Sequence, residues 1–295
     1  MNAPIAKSPM KGRLLAAFSV LVWGTTFISS KVLLQTYTPV EILFFRMILA
    51  IAALWIARPR MLRLPMKQEL LCLGAGLSGV TLYFLLENLA LTYTYSSNCS
   101  VIISTAPFFV ALAVRLFLRN EPLTKRFYVG FVVAMLGVGL VSFSGQQLRL
   151  NPLGDVLCLL AAMSWAGYSV FIRKLEPAGL DTLLMTRHIF EWGLLFLLPV
   201  MAITGFSPDW AALAQPLNLF NLLFVGLIAS ALCFVTWNVA VRELGAIRTS
   251  AYIYASPVVT ILAAWLLLGE TILPAAIFGV VLTLAGLVIS QDKAR

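Results

Sequence analysis

The residues of this chain best suited to chemistry sit inside apolar runs, where ionisable groups are costly and each is a functional candidate. The densest group is TLLMTRHIFEW, in which Arg187 and Glu191 are four apart and His188 lies three before Glu191. On a helix, Arg187 and Glu191 share a face. Two readings are open: an anchor for solute charge or a proton-responsive set, or an ion pair that neutralises itself so the helix can be buried. Arg46 in VEILFFR matches Arg187 in DTLLMTR, so a cation recurs and could meet a solute, a carboxylate or helix carbonyls. Glu87-Asn88 matches Trp237-Asn238. The repeated asparagine suits glue between helices, while the unmatched Glu87 could serve an asymmetric step. Glu41 and Lys31 read as boundary groups that snorkel to the interface.

Aromatic residues offer a different kind of site. Trp23 shares a helical face with Phe27, Trp165 with Tyr168, and Tyr83 with Glu87. With Ser104, Trp237 and Tyr254 they could form an amphipathic wall around an organic solute, or simply pack. Ser104 lies three before Pro107, and Tyr254 three before Pro257. Each proline frees a carbonyl one turn earlier, which allows a hinge, a carbonyl-lined pocket or a static kink.

Catalytic signatures do not occur: no P-loop, no HExxH and no nucleophile elbow. The four cysteines are scattered without metal or disulfide spacing. No metal, cofactor or catalytic residue is expected. An intramembrane enzyme would need an acid/base set, and only Arg187, His188 and Glu191 come close.

Positioning such groups requires elements that suit hydrocarbon. Apolar residues make up 61% of the chain, charged residues 11%, and the mean hydropathy is +0.95, so most of the chain must find its solvent in lipid. Only helical bundles and closed barrels can do so, and runs of about 20 residues mean helices. Ten are predicted, at 14–34, 39–57, 69–91, 97–118, 126–143, 153–173, 182–204, 217–241, 247–268 and 273–291. The first is too long for a secretory leader and reads as a retained span. The net charge of +9 does not point to nucleic acid, because the cations cluster in short loops between apolar runs. With the N-terminus cytoplasmic, 17 of the 21 Lys and Arg fall on the inner side, the others being Lys31, Arg46, Arg149 and Arg187. Both termini are therefore expected to face the cytoplasm.

The second half repeats the first. Asn88-Leu89-Ala90 aligns with Asn238-Val239-Ala240, and Gly76, Phe84, Ser100 and Pro107 then fall on Gly226, Phe234, Ser250 and Pro257. After a one-residue slip, Glu121 meets Glu270, Gly130 meets Gly279 and Gly137 meets Gly286. The seven-residue glycine spacing suits close helix contact, within the chain or across a dimer seam. Five helices per half is odd, so residues 1–150 and 151–295 must enter the membrane in opposite orientations. Inverted repeats of this kind are typical of transporters, with the substrate site where they meet.

Three features carry a family resemblance: FSVLVWGTTFISSKVLL, PVEILFFRMILA, and the paired LRNEPLTKRFYVGFVVAMLGVGL and LLGETILPAAIFGVVLTLAGLVIS. They resemble the EamA-type ten-helix members of the drug/metabolite transporter superfamily over nearly the whole chain. The resemblance implies an inner-membrane exporter whose helices 1–4 and 6–9 surround a central cavity, with 5 and 10 peripheral. It also implies metabolite substrates, amino acids among them, and one similar branch exports aromatic amino acids. The alternative in the same superfamily is an exchanger of nucleotide sugars or phosphorylated metabolites, which would need Arg46 and Arg187 both in the cavity. The expected partners are a small-molecule substrate and membrane lipid, without nucleic acid. A monomer is the default, with a dimer left open.

Overall fold

Proline, glycine and polar caps set the element boundaries in the computed structural model, which describes residues 8–118, 124–143, 151–268 and 274–290. Among them there is helix, turn and loop but no strand. In chain order the elements are α1 (Pro9–Leu33), α2 (Pro39–Ala57), α3 (Met66–Tyr93) and α4, which has two pieces (Ser96–Ile103 and Ala106–Phe117). Then come α5 (Lys125–Phe143), α6 (Pro152–Leu175), α7 (Thr182–Thr204) and α8 (Pro216–Leu244). The last are α9, again in pieces (Ala246–Ser250 and Ser256–Leu268), and α10 (Pro274–Ser290). Apart from α1, which starts five residues early, the predicted limits fall within three residues of these.

Seven elements, α1 to α4 and α6 to α8, are long and apolar enough to cross a membrane. The chain is a multi-pass membrane protein. The other three are not among them; α9 is interrupted and α10 has 17 residues. Glu121 and Glu270, central to the resemblance, lie outside the described residues, as does Arg149.

Caps explain the starts and stops. Thr38 and Glu41 form a reciprocal capping box on α2, with Pro39 in its first turn. Glu41 is thus a buried cap rather than a snorkelling group. Lys31 also departs from expectation: its ammonium donates to the Leu91 and Thr94 carbonyls at 2.5 and 3.3 Å, neutralising the C-terminal end of α3. Asp181 accepts from the Leu183 and Leu184 amides to start α7, and Gly205, at φ 72°, ends it in the left-handed conformation that glycine tolerates.

Irregular turns recur at matching places. A π-helical stretch occupies Gly76–Leu82 in α3 and Phe224–Leu232 in α8. Such bulges rotate the side chains that follow and often mark functional sites. In α4 and α9 the prolines begin a new helical piece instead of kinking a continuous one: Pro107 follows a turn at Ser104-Thr105, and Pro257 follows the tight turn Ala251–Ala255. At this turn in α4, Ser104 Oγ donates to the Val101 carbonyl and Thr105 Oγ1 to the Ile102 carbonyl, each at 2.6 Å.

Packing crosses between the halves. α1 packs on α8 and α9, as α6 packs on α3 and α4; α2 lies against α7, and α5 against α10. The glycines belong to the α5–α10 seam: a Cβ on Gly130 would lie 2.6 Å from the Gly286 carbonyl, and one on Gly137 2.6 Å from that of Gly279. Their spacing therefore serves packing within the chain. All four cysteines are buried free thiols.

Candidate functional site

Rings from both halves meet in the middle of the bundle. Trp23 of α1 lies 5.3 Å from Trp165 of α6 and 4.9 Å from Trp237 of α8, between ring centroids. Tyr83 of α3 touches Trp165 at 5.1 Å, and Phe84 touches Phe234 at 5.6 Å. These rings wall a cavity whose remaining edge is made by α2, α4 and α9. At 4.5–7 Å they form an aromatic cage in which each ring braces the next.

Two opposite charges face this cage. Arg46 and Glu87 line it and are 1% and 2% exposed. Arg46 Nε donates to Ser230 Oγ at 2.5 Å, and its guanidinium lies over the Phe84 ring, 3.7 Å from the centroid. Ser230 in turn donates to the Val225 carbonyl, five residues back, at 2.7 Å. That i−5 bond belongs to the π-helical stretch of α8, so the bulge is what turns Ser230 toward the arginine. Glu87 interacts with Arg46 electrostatically and lies within hydrogen-bond reach of the Tyr83 hydroxyl.

The polar atoms around the cage are not evenly satisfied. Trp23 Nε1 donates to the Ala229 carbonyl at 2.8 Å, another contact with the α8 bulge. Trp165 Nε1, Trp237 Nε1 and Arg46 Nη1 are buried without a partner. All three are donors. An unmet buried donor costs about 1–3 kcal/mol, so an acceptor brought to any of them would be stabilised.

A second polar cluster stands apart from the cavity, where α2 ends and α7 begins. Arg187 donates to the carbonyls of Arg58 and Arg60 at 2.9 and 2.5 Å, lies over the Trp55 ring and pairs with Glu191 at 3.1 Å. His188 stands between two carboxylates, Nδ1 3.1 Å from Glu191 and Nε2 2.8 Å from Glu69. Each ring nitrogen thus faces one carboxylate. Trp192 and Trp55 donate to Glu69 and Glu191 at 2.8 and 2.9 Å. The cluster ties α2, α3 and α7 together. Among the described residues, no group of His, Cys, Asp and Glu is arranged to hold a metal ion.

The predicted residues therefore divide. Trp23, Arg46, Tyr83, Glu87 and Trp165 line the cavity, and Trp237 backs it through Trp23. Tyr168 packs on Trp165 at 4.9 Å and donates to Asn238 Oδ1 at 2.7 Å. Ser104 and Tyr254 lie outside: Ser104 is used in its own turn, and Tyr254 packs toward Phe131 of α5. Pro107 and Pro257 begin helical pieces. Arg187, His188 and Glu191 belong to the second cluster. Phe84, Phe234, Ser230 and Glu69 were missed; the alignment of Phe84 with Phe234 was the one signal for the first two.

Comparison with known proteins agrees with this architecture. The EamA-like transporter family matches residues 10–143 and again 152–290. A protein of Archaeoglobus fulgidus named as an uncharacterized transporter is 30% identical, with 96% of this chain and 98% of the relative covered. A probable terminal-alkyne amino-acid exporter of Streptantibioticus cattleyicolor is also 30% identical, covering 93% and 91%. A probable amino-acid metabolite efflux pump of Salmonella typhimurium is 27% identical, covering 95% and 94%. One solved crystal structure shares the fold at a TM-score of 0.75 and 18% identity, covering 96% of this chain and 97% of its own.

Proposed function

This chain belongs to the EamA-like transporter family, and from that premise we propose that it exports small zwitterionic metabolites, foremost amino acids with apolar or aromatic side chains. The observation that carries the reading is the cage itself: Arg46 and Glu87 face one cavity walled by Trp23, Tyr83 and Trp165. An amino acid has matching parts. Its carboxylate meets Arg46 and the indole N–H groups, its ammonium meets Glu87, and its side chain lies among the rings. The Streptantibioticus and Salmonella relatives, named for amino-acid and amino-acid metabolite export, support the same class.

The route is alternating access. Residues 1–150 and 151–295 act as inverted five-helix repeats, giving ten crossings, and the crossed packing of α1 with α8 and α6 with α3 supports that arrangement. Rocking one set of contacts against the other exposes the cage first to one side, then to the other. The membrane is a bacterial-type inner membrane, both termini are cytoplasmic, and the unit is a monomer. With no nucleotide-hydrolysing motif in the chain, a gradient drives or simply directs the flow.

Two rival readings are disfavoured by one residue. A nucleotide-sugar exchanger needs paired cations in the cavity, and Arg187 is 1% exposed and occupied by the Arg58 and Arg60 carbonyls. An intramembrane enzyme would draw on Arg187, His188 and Glu191, which stand away from the cavity. Cells overproducing the chain should tolerate p-fluorophenylalanine better than cells producing Arg46→Gln at equal abundance. Equal sensitivity of the two would reject the amino-acid reading.

A further inference from the structure

A second cavity lies between α6, α7 and α8, and Arg242 is part of its wall. It sits at the end of the bundle where α6 finishes in Arg173 and Lys174. Each carboxylate near it stands beside a cation. Glu176 is paired with Arg173. Glu243 accepts the Ser8 amide at 2.6 Å and stands 3.9 Å from Arg242 Nε, at the limit of an ion pair. Arg242 spends one nitrogen on Thr182 Oγ1 at 3.2 Å, and its Nε is buried with no hydrogen-bond partner. Among the described residues its guanidinium thus has Thr182 Oγ1 as hydrogen-bond acceptor and Glu243 at the limit of an ion pair.

Between this cavity and the aromatic cage stand the side chains of Tyr168 and Asn238. The ring of Tyr168 belongs to the cage side, 4.9 Å from Trp165 and 5.7 Å from Phe234. Its hydroxyl donates to Asn238, which lines the second cavity, and Asn238 Nδ2 donates to Thr186 of α7 at 3.0 Å. Tyr168, Asn238 and Thr186 thus tie α6, α8 and α7 together between the two spaces.

We propose that the second cavity is a loading site, where Arg242 takes the carboxylate of the solute before it passes Tyr168 into the cage. The assignment rests on the amino-acid reading above. With Glu176 and Glu243 already beside Arg173 and Arg242, the site offers little net positive charge to a dianion such as a phosphate monoester, while a zwitterion's net charge is zero. The tie breaks without leaving a buried group stranded, because the solute's own polar atoms replace those of Asn238 as it passes.

The test is the sidedness of kinetics, with radiolabelled phenylalanine in vesicles of defined orientation. Arg242→Gln should raise KM about tenfold from the face bearing Arg173 and Lys174, the equivalent of losing one charge-assisted contact. KM from the opposite face should stay unchanged while Vmax/KM falls equally in both directions, as detailed balance requires of downhill transport; an unchanged unfolding temperature in detergent shows that the variant is folded. Arg242→Lys should restore most of the affinity. A second readout is independent of transport rate: phenylalanine should slow labelling of Leu180→Cys by a membrane-impermeant maleimide, phenethylamine should not, and the protection should vanish with Arg242→Gln. A KM from that face unchanged from wild type in Arg242→Gln, or unchanged protection, would overturn the loading site alone. Failure of the wild-type protein to move phenylalanine from either face would overturn the amino-acid reading with it.

Discussion

Arg46 and Arg187 occupy matching places in the sequence and do opposite work in the structure. Arg46 faces the cage with one nitrogen unmet, while Arg187 clamps the carbonyls after α2. The difference is testable in one pair of variants. Arg46→Gln should reduce phenylalanine transport at least tenfold with little change in thermal stability. Arg187→Gln should leave KM unchanged and destabilise the fold by about 3 kcal/mol, since it strips a buried ion pair of its cation. Thermal unfolding in detergent, run beside transport, separates them. Glu87 gives a finer discrimination: Glu87→Gln should weaken phenylalanine while leaving 3-phenylpropionate, which lacks the ammonium, unaffected in competition. Ser230→Ala should raise KM a few-fold, because Arg46 keeps its stacking on Phe84 but loses the hydroxyl that aims it.

The elements were largely readable because lipid demands long apolar runs and the breaks are marked by Pro, Gly and caps. What a single-helix reading could not supply was the partner across the bundle. Glu69 meets His188 across 119 positions, and Ser230 meets Arg46 across 184. Both depend on how α3 lies on α7 and α2 on α8, which no periodicity within one helix reveals. The π-helical stretches were hidden for a related reason: Gly76–Leu82 and Phe224–Leu232 are apolar and would read as ordinary helix. Their importance can be measured through glycine. A methyl on Gly79 would run into the Tyr168 ring, so Gly79→Ala should cost about 1–3 kcal/mol and impair transport together. Gly286→Ala strikes the backbone of Ala134 on the α5–α10 seam instead, and should lower the unfolding temperature while leaving KM as it was. Equal effects of both glycines on KM would show that α5 and α10 take part in the cavity after all.

At the scale of the molecule, the proposed organisation is two repeats that complete each other. The first helix of each half seats on helices of the other, and the rings of Trp23 and Trp165 meet where they cross. The proposed topology has ten crossings with both termini in the cytoplasm. A fluorescent protein at the C-terminus should therefore light up in the cytoplasm, and alkaline phosphatase inserted between α7 and α8 should be active outside; the reverse pattern would refute the topology. The sequence revealed the duplication and the charge bias directly, but it placed Ser104 and Tyr254 in the wall, because spacing cannot say which face of a broken helix turns inward. The central claim is that one cage holds both charges of an amino acid. The most direct test is counterflow by purified protein in proteoliposomes preloaded with phenylalanine, challenged with phenylalanine, phenethylamine and a nucleotide sugar. Labelled phenylalanine should accumulate, unlabelled phenylalanine should abolish the signal, phenethylamine should compete weakly, the nucleotide sugar should do nothing, and Arg46→Gln should be silent. Accumulation that is blocked by the nucleotide sugar and insensitive to Arg46→Gln would contradict the account.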